Sequence, residues 1–285
     1  MSHAPRHPAP RQRGFTLIEL VMVIVILGAV GAMASVFMRS PIDAYLASAR
    51  RAALTDVADT TVRRMARDIR KALPNSIGTS GDGKCIEFIP TRTGGRYRAE
   101  DLVAGDGTSL VFGAADTGFN MFGSNNARPA NERIAVGDLI AVSNFGFDVG
   151  DAYAGANTAA VTGVVDGAET AITANTAFDV ALASPNNRFQ VIPGNEQVVA
   201  YVCNGTNLFR LTRAALGHIC PAGAGAAAVA AGDPILARNV TFAACNFNYG
   251  GPDLQRNALV SMRIEMSDAG EAVSLLHEVH VNNTP

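Results

Sequence analysis

The sequence predicts an α+β fold, in which a long N-terminal helix packs on a globular head built from an antiparallel β-sheet. Three observations lead to this prediction. Leu20 to Met38 form a run of 19 residues without a charge. Residues 39–73 continue with apolar side chains at helical spacing, and residues 78–285 divide into short apolar runs separated by Gly, Asn and Asp. A helix followed by antiparallel strands is the α+β arrangement.

The composition favours a membrane-linked, loop-rich protein. Of the 285 residues, 17% are charged, which is below the roughly 25% of typical soluble domains. The net charge of −2 gives no indication of nucleic-acid binding. Three arginines, Arg6, Arg11 and Arg13, precede the apolar run without an acidic residue. By the positive-inside rule this N-terminus stays in the cytoplasm, and the chain after the helix crosses to the other side.

The apolar run is long enough to be a single transmembrane helix. At about 1.5 Å per residue it spans roughly 28 Å, close to the thickness of the hydrocarbon core. A secretory signal peptide has a shorter apolar core followed by a small-residue cleavage site. Here the small residue, Gly14, precedes the run. We therefore expect cleavage after Gly14 to remove a leader, residues 1–14, and to keep residues 15–38 in the membrane.

Glu19 is an unusual residue to find at the start of a membrane helix. A carboxylate at the helix centre costs about 2.5–3.5 kcal/mol on insertion scales, and less near an end. In a mature chain that begins at Phe15, Glu19 is the fifth residue. We interpret it as the partner of the new α-amino group of Phe15 on a neighbouring subunit, so that the pair sets the axial register. The alternative is a membrane-end glutamate whose side chain reaches water.

Residues 13–20, RGFTLIEL, resemble the type III signal of type IV pilins and of type II secretion pseudopilins. The resemblance implies that a prepilin peptidase cleaves after Gly14 and methylates Phe15, and that the fold is pilin-like. It also implies a subunit of the inner membrane with a periplasmic head, which later reaches a pilus at the cell surface. The implied partners are the prepilin peptidase/methyltransferase, other minor pilins and the major pilin, the inner-membrane assembly platform and membrane lipid, with no nucleic acid.

Three downstream segments carry a second, narrower resemblance. CIEFIPTRTGGRYRAEDL from residue 85, CNFNYGG from residue 245 and the ending LHEVHVNNTP are similar to the O-type minor pilins of mannose-sensitive haemagglutinin (MSHA) pilus operons. This implies a non-catalytic subunit of a tip or initiation complex. Two alternatives stay open: a J-type pseudopilin of a type II secretion system, and a membrane-anchored adhesin or ligand-binding module.

Residues 39–73 are predicted to continue the helix as an amphipathic segment. Pro41 is expected to interrupt it, and Pro74 to end it. The apolar positions predicted to face a core are Ile42, Tyr45, Ala49, Ala52, Leu54, Val57, Ala58, Val62, Met65, Ile69 and Leu73. The opposite face carries Arg50, Asp59, Arg63, Arg67 and Arg70. That face is either solvated surface or a contact with neighbouring subunits.

The head is predicted from short β-strand patterns. Alternation over 259–267 and 273–281, with a turn at Asp268-Ala269-Gly270, predicts a terminal hairpin. PAGAGAAAVAAG at 221–232 is predicted to be a surface loop. The further strand candidates are Lys84–Ile89, Ser109–Phe112, Leu139–Ser143, Arg188–Ile192, Gln197–Cys203 and Leu208–Thr212.

Four cysteines, Cys85, Cys203, Cys220 and Cys245, follow the membrane segment. An even number beyond a membrane favours disulfides over free thiols or a metal site, and four cysteines allow three connectivities. The 16 residues between Cys203 and Cys220 would make a compact loop, so we predict that pair and, by elimination, Cys85 with Cys245.

Catalytic and metal motifs are weak in this chain. In HEVH, His277 and His280 are three residues apart on a predicted strand, whereas the zinc protease motif needs a four-residue step on a helix. Calcium is only weakly supported by four aspartates in turns, Asp82, Asp106, Asp148 and Asp151, because a full ligand series is lacking. The sequence shows no P-loop and no nucleophile elbow. We therefore expect no enzyme activity, no metal and no cofactor.

Overall fold

The computed structural model describes residues 14–178, 182–250 and 257–284. The predicted leader therefore lies, apart from Gly14, outside the described residues. The chain divides into two compact units, Met1–Ala52 and Ala53–Pro285. The first unit contains the N-terminal part of the long helix, and the second contains the end of that helix together with all fourteen described strands.

One α-helix, α1, runs over Leu17–Ile69 and continues through Pro41. The predicted interruption at Pro41 is therefore wrong. A proline removes a single backbone hydrogen bond, and the turns on both sides retain theirs. The helix also ends earlier than predicted. The backbone N–H of Leu73 donates to the Ile89 carbonyl oxygen at 2.7 Å, so this segment already joins the β-structure.

Burial along α1 begins at Leu54 and follows helical spacing through Val62 to Ile69. Ile42, Tyr45 and Val57 were predicted to face the core, but their side chains are 51%, 73% and 46% exposed. Apolar spacing predicts which face of a helix is buried and does not predict where along the helix burial starts. Ala49 and Ala52, also predicted to face the core, are exposed, whereas from Leu54 onward every predicted core position except Val57 is buried.

The strands of the second unit form three sheets, and every strand pairing within them is antiparallel. The five-stranded sheet has the order β1 (Gly78–Thr79), β2 (Cys85–Phe88), β9 (Val198–Asn204), β10 (Asn207–Arg213), β11 (Ile235–Arg238). The six-stranded sheet has the order β3 (Thr93–Arg96), β8 (Arg188–Ile192), β5 (Leu139–Ala141), β6 (Thr158–Val165), β7 (Glu169–Ala174), β4 (Gly118–Phe122). The three-stranded sheet has the order β12 (Asn246–Gly250), β13 (Asn257–Asp268), β14 (Glu271–Asn282). The predicted α+β class, a long helix followed by antiparallel sheets, is confirmed.

Strand β9 is buried on both faces. Val199, Tyr201 and Cys203 belong to the core that includes the buried face of α1. The alternate residues Ala200 and Val202 belong to a separate core on the other side of the sheet. Because successive side chains of a strand point to opposite faces, neighbouring residues of this one strand serve two different cores.

Most predicted strands are present, and the terminal hairpin closes through Ala269 and Gly270, both with positive φ. The prediction of a strand at Ser109–Phe112 is wrong. The Asp101 carboxylate accepts the Ser109 backbone N–H at 3.0 Å, and Asp116 accepts that of Val111 at 2.9 Å. The aspartate carboxylates thus accept backbone N–H groups that would otherwise donate to a neighbouring strand. Seven strands were not predicted: β1, β3, β4, β6, β7, β11 and β12.

The segment 221–232 is a loop, as predicted, and it is anchored. Gly225–Ala228 forms a 3₁₀ turn in which Gly225 is buried. A Cβ atom on Gly225 would lie 2.6 Å from the backbone nitrogen of Cys85. Glycine is therefore required for this close approach to β2.

Candidate functional site

The start of α1 carries the predicted processing and assembly residues. The Glu19 backbone N–H donates to Thr16 Oγ1 at 3.3 Å, and the Thr16 N–H donates to Glu19 Oε2 at a long 3.5 Å. These reciprocal bonds are those of a capping box, in which the N-cap residue and the third helical residue satisfy each other's backbone donors. Glu19 is therefore a helix-capping residue within its own chain.

The capping role of Thr16 was missed in the sequence, although a signal was available. Thr-x-x-Glu directly before an apolar run is the sequence pattern of a capping box. Gly14, two residues before Thr16, has no described atom within 4 Å of the position of a Cβ atom. Among the described residues, no contact therefore requires glycine at position 14.

The first turns of α1 present apolar side chains in every direction. Phe15 and Leu17 are 83% and 82% exposed, and the large apolar residues as far as Met38 are exposed as well. The most apolar stretch of 18 residues in α1 has a mean hydropathy of 2.7, and none of its residues is buried. By length and composition, this helix could cross a membrane. A surface of this kind is stable only against lipid or other apolar helices.

The beginning of the chain also matches a known sequence family. The model that matches is the prokaryotic N-terminal methylation motif, and it covers residues 9–35. The chain carries a methylation motif. The motif, which is the signal of type IV pilins, supports a type IV pilin-like subunit, and such subunits are structural proteins processed by a prepilin peptidase. Together with the apolar helix it is consistent with membrane anchoring. No curated protein and no solved structure matches the chain.

Two disulfides are present, as predicted, but the predicted pairing is wrong. Cys85 is bonded to Cys220, and Cys203 to Cys245. Cys203 and Cys245 lie in the core beneath α1, whereas Cys85 and Cys220 lie in or against the core on the other face of the sheet. The short loop between Cys203 and Cys220 led to the prediction that they pair. In the structure the two cysteines lie on opposite faces of the sheet, so they cannot bond. Strand register decides the connectivity.

Beside each disulfide, a charged side chain from the β2 region forms hydrogen bonds with the backbone around the disulfide's C-terminal cysteine. The Glu87 carboxylate accepts the backbone N–H groups of Ile219 at 2.5 Å and Cys220 at 2.7 Å. The Lys84 ammonium donates to the carbonyl oxygen of Cys245 at 2.5 Å and to that of Phe242 at 2.8 Å. These two residues of the β2 region were not singled out in the sequence, since nothing local marks a lone Lys or Glu as a clamp.

Two of the four aspartates considered for calcium, Asp82 and Asp106, are occupied by several turn hydrogen bonds. Asp82 Oδ1 accepts from the Ser80 hydroxyl at 2.6 Å and from the Lys84 backbone at 3.0 Å. Burial alone would raise the pKa of Asp82, but these bonds and others lower it below its usual value. Asp106 Oδ1 accepts the Thr108 N–H at 3.1 Å, and the pKa of Asp106 is also lowered. Within the described ranges, no three His, Cys, Asp or Glu residues converge on a possible metal site.

The HEVH residues lie on β14 with their side chains on opposite faces. His277 faces inward, and its Nε2 atom is buried without a hydrogen-bond partner among the described residues. His280 is exposed on the outer face. Alternation along a strand therefore keeps the two imidazoles apart.

Proposed function

We propose that this protein is a minor type IV pilin of the MSHA type. It is cleaved between Gly14 and Phe15, methylated on Phe15 and then built into a filament. The observation that carries the proposal is the methylation motif at the head of a 53-residue helix whose first half is apolar and exposed. The three head segments that resemble MSHA-type minor pilins support the finer assignment.

Assembly would exchange lipid contacts for contacts between apolar helices. In this step the Glu19 carboxylate pairs with the methylated α-amino group of Phe15 on a neighbouring subunit. Removing residues 1–14 creates that amino group, so the pair forms only after cleavage. Both charges are costly in hydrocarbon when unpaired, and their pairing therefore favours one axial offset between adjacent helices.

Partner subunits would contact α1 in its middle section. Ile42 and Tyr45 are exposed apolar side chains beyond the membrane segment. On the polar face, Arg63 forms an ion pair with Asp59 at 2.7 Å. The guanidinium groups of Arg67 and Arg70 make no hydrogen bond or ion pair with the described residues. This combination suits a helix–helix contact in which a neighbouring pilin supplies apolar cover and carboxylates. The partners on this view are other minor pilins and the major pilin.

The size of the head favours a low copy number. Heads of more than 200 residues crowd one another when single helices pack side by side. We therefore propose a substoichiometric subunit of a tip or initiation complex. Before assembly it sits in the inner membrane with a cytoplasmic N-terminus and a periplasmic head, where the assembly platform extracts it.

Quantitative mass spectrometry of sheared filaments tests this assignment. The proposal expects this chain at a few copies per filament, together with other minor pilins. Dominance of this chain in the filament would contradict a minor role. If it is absent from filaments and its deletion stops protein export, the pseudopilin alternative is correct. A chain that stays in the membrane and affects neither process would be an anchored adhesin or binding module.

A further inference from the structure

The head contains a cleft that the assembly role does not use. It has a volume of about 550 Å³ and lies within the unit Ala53–Pro285. Five aromatic rings line it, together with a carboxylate, the aliphatic side chain of Ile77 and small or polar residues. The five rings belong to Phe145, Phe147, Tyr153, His218 and Tyr249, and the carboxylate to Asp151. We call this site the aromatic cleft.

Two of the rings are held in fixed positions. The imidazole of His218 stacks on Tyr153 with 4.2 Å between ring centroids. His218 Nδ1 lies 2.5 Å from the buried carboxylate of Glu87, and the Tyr153 hydroxyl donates to the Ser76 carbonyl oxygen at 2.8 Å. The two rings are therefore anchored on β2, through Glu87, and on the turn before β1, through Ser76, so that the stacked pair forms one wall of the cleft.

The loop that carries the phenylalanines is also fixed. The N–H of Phe145 donates to the Gly150 carbonyl oxygen at 2.8 Å, and Asn144 Nδ2 donates to the Pro74 carbonyl oxygen at 2.6 Å. Gly146 has a φ of 79°, and a Cβ there would lie 2.6 Å from the Asn75 carbonyl oxygen. The loop nevertheless leaves Phe147 53% exposed. A rigid loop that holds an apolar ring out toward solvent beside a cleft is typical of a binding surface.

Asp151 is the carboxylate among the lining residues, and the one imidazole of the lining, His218, is paired with the Glu87 carboxylate behind it. Asp151 Oδ1 accepts the Tyr153 backbone N–H at 2.9 Å, and its other oxygen has no hydrogen bond with the described residues. The lining includes neither lysine nor arginine. Burial, and then the negative charges of Glu87 and Asp151, raises the pKa of Tyr153 well above its usual value. A cation is therefore the charge that this cleft would accept.

We propose that the aromatic cleft binds an ammonium group, with aromatic faces around the cation and the Asp151 carboxylate opposite its charge. Aromatic rings attract cations through their negative faces, most strongly where water is excluded. A quaternary headgroup such as choline carries this group, and so does a lysine side chain of another protein. Both offer the same chemistry to the cleft.

Calorimetric titration of the full chain in a polyoxyethylene detergent tests the proposal, because that detergent carries no ammonium group. The probes are choline chloride, Nα-acetyl-lysine methylamide and 3,3-dimethylbutan-1-ol, the uncharged isostere of choline. We expect at least one ammonium to bind about tenfold or more tightly than the isostere. Tighter binding of choline identifies a quaternary headgroup as the ligand, and tighter binding of the lysine derivative identifies a protein side chain.

Two variants connect that binding to the cleft. Asp151→Asn keeps an acceptor for the Tyr153 N–H and removes the charge, and Phe147→Ala removes an exposed ring. Each should weaken ammonium binding about tenfold, whereas Asp233→Asn and Phe122→Ala, which change an exposed carboxylate and an exposed ring elsewhere, should not change it. Equal binding of the isostere, no binding of either ammonium, or full binding by both cleft variants would overturn the proposal.

Discussion

Glu19 illustrates how one residue can serve two stages of an assembly. Within its own chain, it caps α1 together with Thr16. In the proposed filament, the same carboxylate pairs with the α-amino group of a processed neighbour. The capping role needs only an acceptor atom, whereas the pairing needs a negative charge. The two roles are therefore separable by substitution.

Glu19→Gln and Glu19→Ala form the matched pair for this test. Glutamine keeps the acceptor of the capping box, and alanine removes it. Because neither carries a charge, we expect both variants to insert into the membrane at least as well as the wild type and to enter filaments at least about tenfold less. Immunoblotting of sheared filaments and of the membrane fraction measures the ratio of incorporated to membrane-held protein. Normal incorporation of Glu19→Gln would mean that capping is the only role of Glu19.

Among the elements of the fold, α1 shows how packing differs along one helix. Val62 is 3% exposed in the core, whereas Val57 lies on the same helix at 46% exposure. Truncating a buried side chain removes apolar burial and leaves a cavity. An exposed truncation changes stability by no more than about 0.5 kcal/mol.

Val62→Ala should therefore destabilise the head by about 2 kcal/mol, and Val57→Ala should leave its stability unchanged. Urea unfolding followed by circular dichroism, with the full chain in detergent, measures both. Equal destabilisation by the two variants would contradict the burial described for α1.

The disulfide connectivity can be tested by peptide mapping. Trypsin places the four cysteines on four separate peptides, 85–92, 189–210, 214–238 and 239–256. Under non-reducing conditions we expect 85–92 joined to 214–238, and 189–210 joined to 239–256. Mass spectrometry of the digest reads the connectivity directly. A linked pair of 189–210 with 214–238 would contradict the placement of the sulfurs on opposite faces of the sheet.

The elements show how far the sequence predicts this fold and where it cannot. The helix, the buried strand β9 and the terminal hairpin were predicted because their apolar spacing is strong and local. The strand β4 was missed. Ser109–Phe112 was predicted wrongly as a strand, because aspartate side chains accept the backbone N–H groups of Ser109 and Val111. The disulfide pairing, the Glu87 clamp and the aromatic cleft depend on residues far apart in the chain. Spacing along the sequence carries no information about such contacts.

At the scale of the whole molecule, the head should be sensitive to acid. Hydrogen bonding from Arg98 lowers the pKa of Glu169, and that from Ser109 lowers the pKa of Asp101. The pKa values of Asp82, Asp106 and Asp166 are lowered as well. A carboxylate with a lowered folded-state pKa contributes stability that is present above its unfolded pKa, about 3.9 for Asp and 4.3 for Glu. That contribution is lost as the pH falls through the folded-state pKa.

We therefore expect the free energy of unfolding to stay level from about pH 7 to pH 5 and to fall below about pH 4. Thermal melts followed by circular dichroism across this range measure it. Glu169→Gln should reduce the dependence on acid, because glutamine does not titrate. A head that becomes more stable on acidification would contradict the lowered pKa values.

The central claim is that the chain is processed as a pilin, and the mature N-terminus tests it most directly. Protein extracted from membranes should, by intact mass and N-terminal sequencing, lack residues 1–14 and begin at Phe15 with one added methyl group. Gly14→Val should block this processing, although no described atom lies within 4 Å of the position of a Cβ atom at Gly14. A chain that retains Met1, or a mature start at another residue, would contradict the account.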